Sequence, residues 1–183
     1  VLQPPRPPDQ GILEAHQEGI VTAATLMAMG PAFRHAVDLA RSVPTLDVGC
    51  HLVLTGLPSA LPPHHPLPAS VDQLVAAVVR RRLRIRDELR AQVRRLLDAD
   101  ITPTHLDTHK HTHLLPAIAE AVGELASEFH IRWVRRPLLP RAVSRLLEGR
   151  MLRHGSRVTD HFRGFGLTGR LNTASLVRLL RGL

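Results

Sequence analysis

The stretch that decides the fold lies in the middle of the chain and reads Pro103-Thr104-His105-Leu106-Asp107-Thr108-His109-Lys110-His111-Thr112-His113. Its first residues predict a strand over Pro103–His109, in which every second side chain projects to the same face. Five side chains that can bind metals occupy alternate positions: His105, Asp107, His109, His111 and His113. Because buried imidazoles need polar partners, this pattern indicates a divalent-metal site, for zinc, iron, nickel or manganese. A flexible polar loop with adventitious histidines is the alternative.

Strand and helix patterns alternate on both sides of this stretch. Further strands are predicted at Val21–Met27, Leu46–Leu54 and Ile131–Arg135. Helices are predicted at Ala32–Ser42, about Val71–Ala99, from Pro116 onward, Ala142–Leu152 and Thr173–Leu180, the last with Asn172 as its N-cap. This alternation predicts an α/β fold with mostly parallel strands and helices outside them. An open doubly wound sheet and a partial β/α barrel both fit, since a closed barrel needs about 250 residues.

The second candidate ligand, His51, lies in the predicted strand Leu46–Leu54. A lone histidine in a buried strand is more often a hydrogen-bonded core residue than a ligand. However, the carboxyl ends of adjacent parallel strands meet at one edge of the sheet. We therefore expect His51 and His109 to lie roughly 3–4 Å apart at their ligating atoms, with His111 and His113 as nearby alternates. Cys50 points to the opposite face and is predicted to be a small buried residue.

A proline-rich loop at Gly56–Ser70 follows that strand. Prolines lack the backbone donor that a sheet needs, so the loop is predicted not to join a sheet ladder. We expect it to line the mouth of the site together with Arg135. A guanidinium at that position would contact sugar hydroxyls or a carboxylate of the substrate. The alternative is that Arg135 only pairs with a neighbouring acidic residue.

The net charge of +8 arises from 23 arginines and one lysine against 16 acidic residues. Such a balance suggests a polyanion-binding module as an alternative function. Nucleic-acid binding is not expected, because proteins that follow a phosphate backbone usually interleave aromatic residues, and these make up only 3% of the chain. The basic run Arg80–Arg86 leads into a helical stripe of Ile85, Leu89, Val93 and Leu96, which predicts that its arginines form a solvated helix face.

The composition also favours one cellular compartment and one domain organisation. No apolar run reaches the length of a membrane span, residues 1–8 do not resemble a secretory signal, and the single cysteine cannot form an internal disulfide. The sequence thus predicts a cytoplasmic protein. Residues 1–8 are predicted to be a divergent proline-rich segment, and residues 9–183 one domain. A homodimer is an arrangement that the sequence leaves open.

Four blocks of sequence together resemble the YdjC-like carbohydrate deacetylases, and most closely their hopanoid-biosynthesis-associated branch. These blocks are Gly11–Met27, Gly49–Thr55, Glu88–Gln92 and Pro103–Pro116. The last block, with its G-x-H-L strand upstream, is the most specific. The resemblance covers about residues 9–170.

The resemblance implies a distorted β/α barrel that removes the acetyl group from an acetylated amino sugar, such as N-acetylglucosamine on a hopanoid lipid. The substrate would be an amino sugar or a glycolipid. It further implies a divalent metal, magnesium or zinc, that is held by one aspartate and two histidines. The two histidines map to His51 and His109. Asp107 resembles a residue that orients one of these imidazoles.

Two blocks of the family are not found in this sequence. The Asp-Asp-Phe-Gly motif, which carries the aspartate ligand and the general base, falls at or before Val1. A late Cys-His-Pro block with the general acid would follow Leu183. We expect a chain truncated at both ends and assign no catalytic base or acid. An inactive remnant that retains part of the metal site is the alternative to an active enzyme.

Overall fold

The architecture is a five-stranded sheet in which every strand runs parallel to its neighbours. The computed structural model describes residues 8–167, 170 and 172–182. Its strands are β1 Ala23–Leu26, β2 Asp47–Leu52, β3 His105–Thr108, β4 Trp133–Val134 and β5 Arg157–Val158. Its described helices are α1 Pro8–Gln17, α2 Phe33–Ser42, α3 Val71–Val79, α4 Ile85–Leu97, α5 Pro116–Glu128, α6 Arg141–Leu152 and α7 Thr173–Leu180.

The strands lie in the sheet in the order in which they occur in the chain, β1-β2-β3-β4-β5. Each crossover advances by one strand in the same direction, as in the wall of a β/α barrel. A doubly wound sheet would reverse direction at a switch point. The predicted α/β fold with parallel strands is confirmed, and the strand order is consistent with a distorted barrel.

The two faces of the central strands differ in chemistry. Cys50 of β2 pairs in register with Leu106 of β3, and both side chains are fully buried in the hydrophobic core. His51 pairs in register with Asp107 on the opposite face. Burial raises the pKa of the Cys50 thiol far above its usual value, with the charge of Asp107 as a second cause. The alternation of side chains along a strand thus separates an apolar face from a polar one.

Several predicted helix boundaries agree with the structure. Pro116 occupies the first turn of α5, where its missing backbone donor costs nothing. The side chain of Asn172 accepts a hydrogen bond from the backbone of Ser175 and caps α7. In α4 the predicted stripe packs inward through Leu89, Val93 and Leu96. α5 packs against both α4 and α6.

The predicted long helix Val71–Ala99 is wrong, because two helices occupy that stretch. α3 ends at Val79, Arg81 adopts a left-handed backbone with φ of 53°, and α4 begins at Ile85. A continuous helix would place Arg82 on the same stripe as Val78 and Ile85. Burying an unpaired guanidinium there would be costly, whereas the break leaves Arg82 exposed.

Other differences lie at strand ends and at the amino terminus. The strands are shorter than predicted, and β5, with only two residues, was not predicted. Most of the predicted amino-terminal segment, residues 1–7, lies outside the described residues, while Pro8 begins α1. In the part of the chain that the structure describes, no helix has both the length and the apolar character to cross a membrane.

The proline-rich loop stays outside the sheet, as predicted, but it forms a small antiparallel pairing of its own. Ser59 donates a backbone hydrogen bond to His65, and Leu67 donates one to Leu57. Pro58 and Pro66 lie opposite each other in an isolated bridge. The ladder is possible because residues between the prolines supply the donors, so the segment is a defined hairpin.

Candidate functional site

A histidine–aspartate pair forms the centre of the site, where β2 and β3 end. His51 Nδ1 donates a hydrogen bond to Asp107 Oδ1 over 2.6 Å. The side chain of Asp107 is 1% exposed. Burial alone would raise its pKa, but the hydrogen bond from His51 and the charges of His51 and Arg135 lower it below its usual value. Asp107 is therefore an anionic anchor that fixes one tautomer of His51 and leaves its Nε2 as an acceptor.

The free ring nitrogen of His51 faces His109. His51 Nε2 and His109 Nδ1 lie 3.4 Å apart, and the two rings meet edge to face. This separation is long for an N–H hydrogen bond, yet it is close to the roughly 3.3 Å between two nitrogens that share one tetrahedral zinc ion. Burial and the neighbouring His51 lower the pKa of His109, which favours the neutral, ligating form of its imidazole.

The predicted alternation of ligands is wrong beyond His109. β3 ends at Thr108, and the chain turns through His109–Leu114 with left-handed backbone at Lys110 and His111. The strand must reverse there to enter α5, so later side chains leave the strand face. The ring of His113 is buried and its Nδ1 bonds the hydroxyl of Thr108 over 2.5 Å.

His105 lies on the same strand face as Asp107, but lower in the sheet. Its Nδ1 lies 2.9 Å from the hydroxyl of Thr104. The ring packs directly over the backbone of Gly49, where an added Cβ would lie 2.5 Å from ring atoms of His105. Glycine in β2 is thus required for this close approach, and His105 belongs to the interior of the barrel wall.

Arg135 pairs with the same carboxylate that holds His51. Its terminal nitrogen lies 2.6 Å from Asp107 Oδ2, and its side chain is 31% exposed. The guanidinium also stacks over the ring of Phe162, 5.0 Å from the centroid. Pairing with a neighbouring acid was the alternative weighed for Arg135, and the structure shows that pairing; its contact with substrate stays a prediction.

Phe162 is a site residue that the sequence did not single out. Its ring lies against both Arg135 and His111, the latter at a centroid distance of 5.2 Å. It follows β5, a two-residue strand without a detectable sequence signal. Phe162 therefore joins the fifth strand to the histidine-bearing turn after the third.

A cavity of about 480 Å³ opens on the polar face of the sheet, beside Arg135. Ligand sites commonly have volumes of about 300–1,000 Å³. Its lining includes Thr25, His105, Trp133, Arg135 and Phe162. Those residues lie on β1, β3 and β4 or follow β4 and β5, so the cavity spans most of the sheet. His51 and His109 are not among its lining residues, and Arg135 is the residue that connects the cavity to Asp107.

The loop predicted to line the mouth is held from behind by a buried carboxylate. Glu88 of α4 is 1% exposed and accepts hydrogen bonds from the Ser59 hydroxyl and, over 2.9 Å, from the backbone of Ala60. Gln92 bonds both Glu88 and the backbone of Val53, just after β2. These two α4 residues fix the loop relative to the strand that bears His51.

A second group of metal-binding side chains lies on α5 and just after α6. Among the described residues, one set of three has ligand atoms within 4.8 Å of one another: Glu120, Glu124 and His154. Glu120 is already paired with His154 at 2.7 Å and with Arg153 at 3.1 Å, while Glu124 pairs with Arg86. With its charge thus compensated, this group acts as a clamp between helices.

Comparisons with known proteins point to one family. A model described as YdjC-like protein matches residues 6–183. A carbohydrate deacetylase of Brevibacillus brevis is 44% identical over 136 residues, which cover 70% of this chain and 53% of that protein. A carbohydrate deacetylase of Geobacillus stearothermophilus is 42% identical over 127 residues, 66% of this chain and 51% of that protein. The chain spans about half the length of the curated relatives it matches.

A solved structure supports the same architecture. The crystal structure of a candidate cellobiose-phosphate cleavage protein from Enterococcus faecalis matches with a TM-score of 0.74. The match covers 94% of this chain and 69% of that one, at 23% sequence identity. At this level of identity the similarity is evidence for the fold alone.

Proposed function

Since the chain belongs to the YdjC-like protein family, we propose that it acts in the metal-dependent removal of the acetyl group from an acetylated amino sugar. The names of its relatives support carbohydrate deacetylation as the reaction. The observation that carries the proposal is the pairing of His51 Nε2 with His109 Nδ1 at 3.4 Å.

The donor set of this pair suits a divalent cation. His51 Nδ1 is committed to Asp107, so its neutral form presents a lone pair on Nε2 toward the other imidazole. Two ring nitrogens at this spacing, at the carboxyl edge of parallel strands, are an arrangement that a cation would satisfy. His51 and His109 would thus hold the metal, with zinc or magnesium as candidates.

Asp107 and Arg135 then have defined tasks. Asp107 holds the ring of His51 in place and compensates the positive charge of Arg135. Arg135 has further N–H groups besides the nitrogen that pairs with Asp107, and these would bind sugar hydroxyls in the cavity that it lines. A bound divalent cation would polarise the acetamide carbonyl and lower the pKa of a water molecule. No described residue is assigned as the general base or acid.

The substrate is proposed more narrowly from the sequence blocks that resemble the hopanoid-associated branch. We propose N-acetylglucosamine carried on a hopanoid lipid as one substrate of this kind. The cavity beside Arg135 supports a ligand of sugar size. The lipid part rests on the resemblance alone.

The test measures acetate release from N-acetylglucosamine-bearing substrates, together with the binding of Zn²⁺ and Mg²⁺. We expect that a chelator abolishes any acetate release and that added cation restores it. His51→Ala and His109→Ala should each lower it by about 100-fold or more, since each removes a ligand. His35→Ala is the matched control, because this imidazole is exposed on α2 and belongs neither to the histidine pair nor to the proline-rich loop.

Two other outcomes have distinct meanings. Cation binding that depends on both histidines, without acetate release, would favour the inactive remnant. Acetate release that survives both substitutions would contradict the assignment of His51 and His109.

A further inference from the structure

Helix α3 exposes a row of valines on a side that does not face the core. Leu74 faces the core and is fully buried. Val71, Val75 and Val79 recur every four residues and are exposed, Val79 to 77%, and they are flanked by the exposed polar residues Asp72 and Gln73. Contiguous exposed apolar side chains bordered by polar residues commonly mark interaction sites. The valine stripe is therefore a candidate surface for binding a partner.

A cluster of positive charge continues this stripe. Arg80, Arg81 and Arg82 follow Val79 directly, and all three are exposed. None of them forms an ion pair with another described residue, whereas Arg84 pairs with Asp87 and Arg86 pairs with Glu124. The three arginines occupy the turn between α3 and α4, in which Arg81 has a left-handed backbone. We call Val71, Val75, Val79, Arg80, Arg81 and Arg82 the valine–arginine patch.

The valine–arginine patch adjoins the edge of the sheet that carries the site. α3 begins immediately after the proline-rich loop, with Ser70 as its N-cap. The turn after Arg82 leads into α4, whose Glu88 binds the backbone of Ala60 in the same loop. Both ends of the patch are thus tied to the loop that follows β2. A partner on the patch would therefore lie near the edge of the sheet where β2 and β3 end and where His51 and His109 are found.

We propose that the valine–arginine patch docks the protein on an anionic lipid bilayer. Apolar side chains that insert shallowly, bordered by cations that meet lipid phosphates, are the pattern of interfacial binding. The excess of arginine over acidic residues gives the required attraction. A nucleic acid fits less well, because valines add nothing to phosphate contacts and the patch holds no aromatic ring to stack on bases.

The test is sedimentation of the full chain with lipid vesicles. One set contains phosphatidylglycerol mixed with phosphatidylcholine, and the other contains phosphatidylcholine alone. We expect binding to the mixed vesicles, weakened but not abolished at high salt, and little binding to the neutral ones. The triple variant R80Q/R81Q/R82Q should lower the partition coefficient by about 100-fold, since each cation at such a surface contributes about fivefold.

Two further variants distinguish binding by the valine–arginine patch from attraction by the net charge of the protein. V75S/V79S should lower the partition coefficient by roughly tenfold through the loss of apolar insertion. The control R34Q/R178Q/R181Q removes three other exposed arginines and should leave binding within about threefold. All substituted side chains are exposed, and circular dichroism checks that each variant keeps its fold. Equal losses in the control and in R80Q/R81Q/R82Q would overturn the proposal, because attraction would then follow net charge alone.

The remaining occupants of the patch are also outcomes of the test. Binding of a polyuridine RNA that needs the three arginines but not the valines, without vesicle binding, would overturn the proposal. So would a dimer in analytical ultracentrifugation that V75S/V79S dissociates, without vesicle binding. The readout is lipid binding, so a failure of the proposed deacetylation would leave this inference standing.

Discussion

Asp107 fixes the orientation of His51, because its Oδ1 lies 2.6 Å from His51 Nδ1 while Arg135 occupies its other oxygen. One carboxylate thus links a candidate metal ligand to a candidate substrate-binding residue. The register of β2 and β3 places His51 beside Asp107, and Arg135, which follows β4, reaches the same carboxylate from the next strand.

Asp107→Ala should lower the affinity for Zn²⁺ by about 10–100-fold, the usual effect of losing a group that orients a ligating histidine. The ring of His51 would turn more freely, and Arg135 would lose its counter-charge. Isothermal titration calorimetry measures the change. Asp100→Ala is the control, since Asp100 is exposed and pairs with Arg41 away from the histidines. Unchanged affinity in Asp107→Ala would show that Asp107 does not position His51.

Glu88→Gln should loosen the proline-rich loop. The carboxylate accepts from Ser59, Ala60 and Gln92, and an amide would turn its own donor toward one of them. A buried donor without an acceptor costs about 1–3 kcal/mol. Hydrogen exchange should therefore become faster across Leu57–Pro68.

Glu124→Gln provides the matched control, because it makes the same chemical change at a partly exposed pair with Arg86. Its effect on exchange should stay within α4 and α5. Exchange in the loop that is equal in wild type and Glu88→Gln would mean that the loop holds itself through its own hairpin bonds.

The sheet and the proximity of the two histidines follow from regular patterns. The alternation of side chains along a strand predicts that His51 and Cys50 lie on opposite faces of the sheet. Parallel strands bring their carboxyl ends to one edge, where His51 and His109 meet. The positions of His111 and His113 could not be obtained in this way. Left-handed backbone at Lys110 and His111 leaves no mark in the sequence, since neither residue is glycine or asparagine.

The same reasoning explains the other misses. Phe162 enters the site only because a two-residue strand precedes it, and so short a strand has no periodicity. The break between α3 and α4 could not be predicted from the sequence, because apolar residues keep a helical spacing from Val78 through Ile85 to Leu89. The position of Phe162 and the end of α3 both depend on contacts between segments that are distant in the chain.

Gly49→Ala should push the ring of His105 out of its place. An added Cβ would lie 2.5 Å from that ring, and His105 would lose its hydrogen bond with Thr104. Overpacking of this kind costs about 1–3 kcal/mol of unfolding free energy. In the background of His105→Ala the same change should cost much less, because the space is then open.

A double-mutant cycle from urea unfolding measures the coupling between these two positions. Equal costs of Gly49→Ala in both backgrounds would mean that the ring moves aside without penalty. The glycine would then serve another purpose in β2.

The stability of the protein should fall as the pH drops from about 6.5 to 4, in part because of His113. Burial and the neighbouring His111 lower the pKa of His113 to about 4, whereas a histidine in an unfolded chain titrates near 6.5. Between pH 4 and 6.5 the unfolded chain binds a proton at His113, whereas the folded protein does not. The unfolding free energy therefore decreases as the pH falls, by about 2 kcal/mol between pH 7 and 5. The hydroxyl of Thr108 accepts the backbone N–H of His113 and can donate its own hydrogen to Nδ1 of a neutral ring, so the folded protein has a partner for the uncharged form.

Urea unfolding of wild type and His113→Gln at pH 7 and 5 isolates this contribution from that of other histidines. Burial also lowers the pKa values of His105, His109 and His111, so they give a dependence of the same sign that remains in the variant. We expect His113→Gln to reduce the difference between the two pH values by about 2 kcal/mol. The exposed His35 supplies the control, His35→Gln, in which the wild-type difference should persist. An equal pH dependence in wild type and His113→Gln would show that the buried ring accepts its proton without loss of folding free energy.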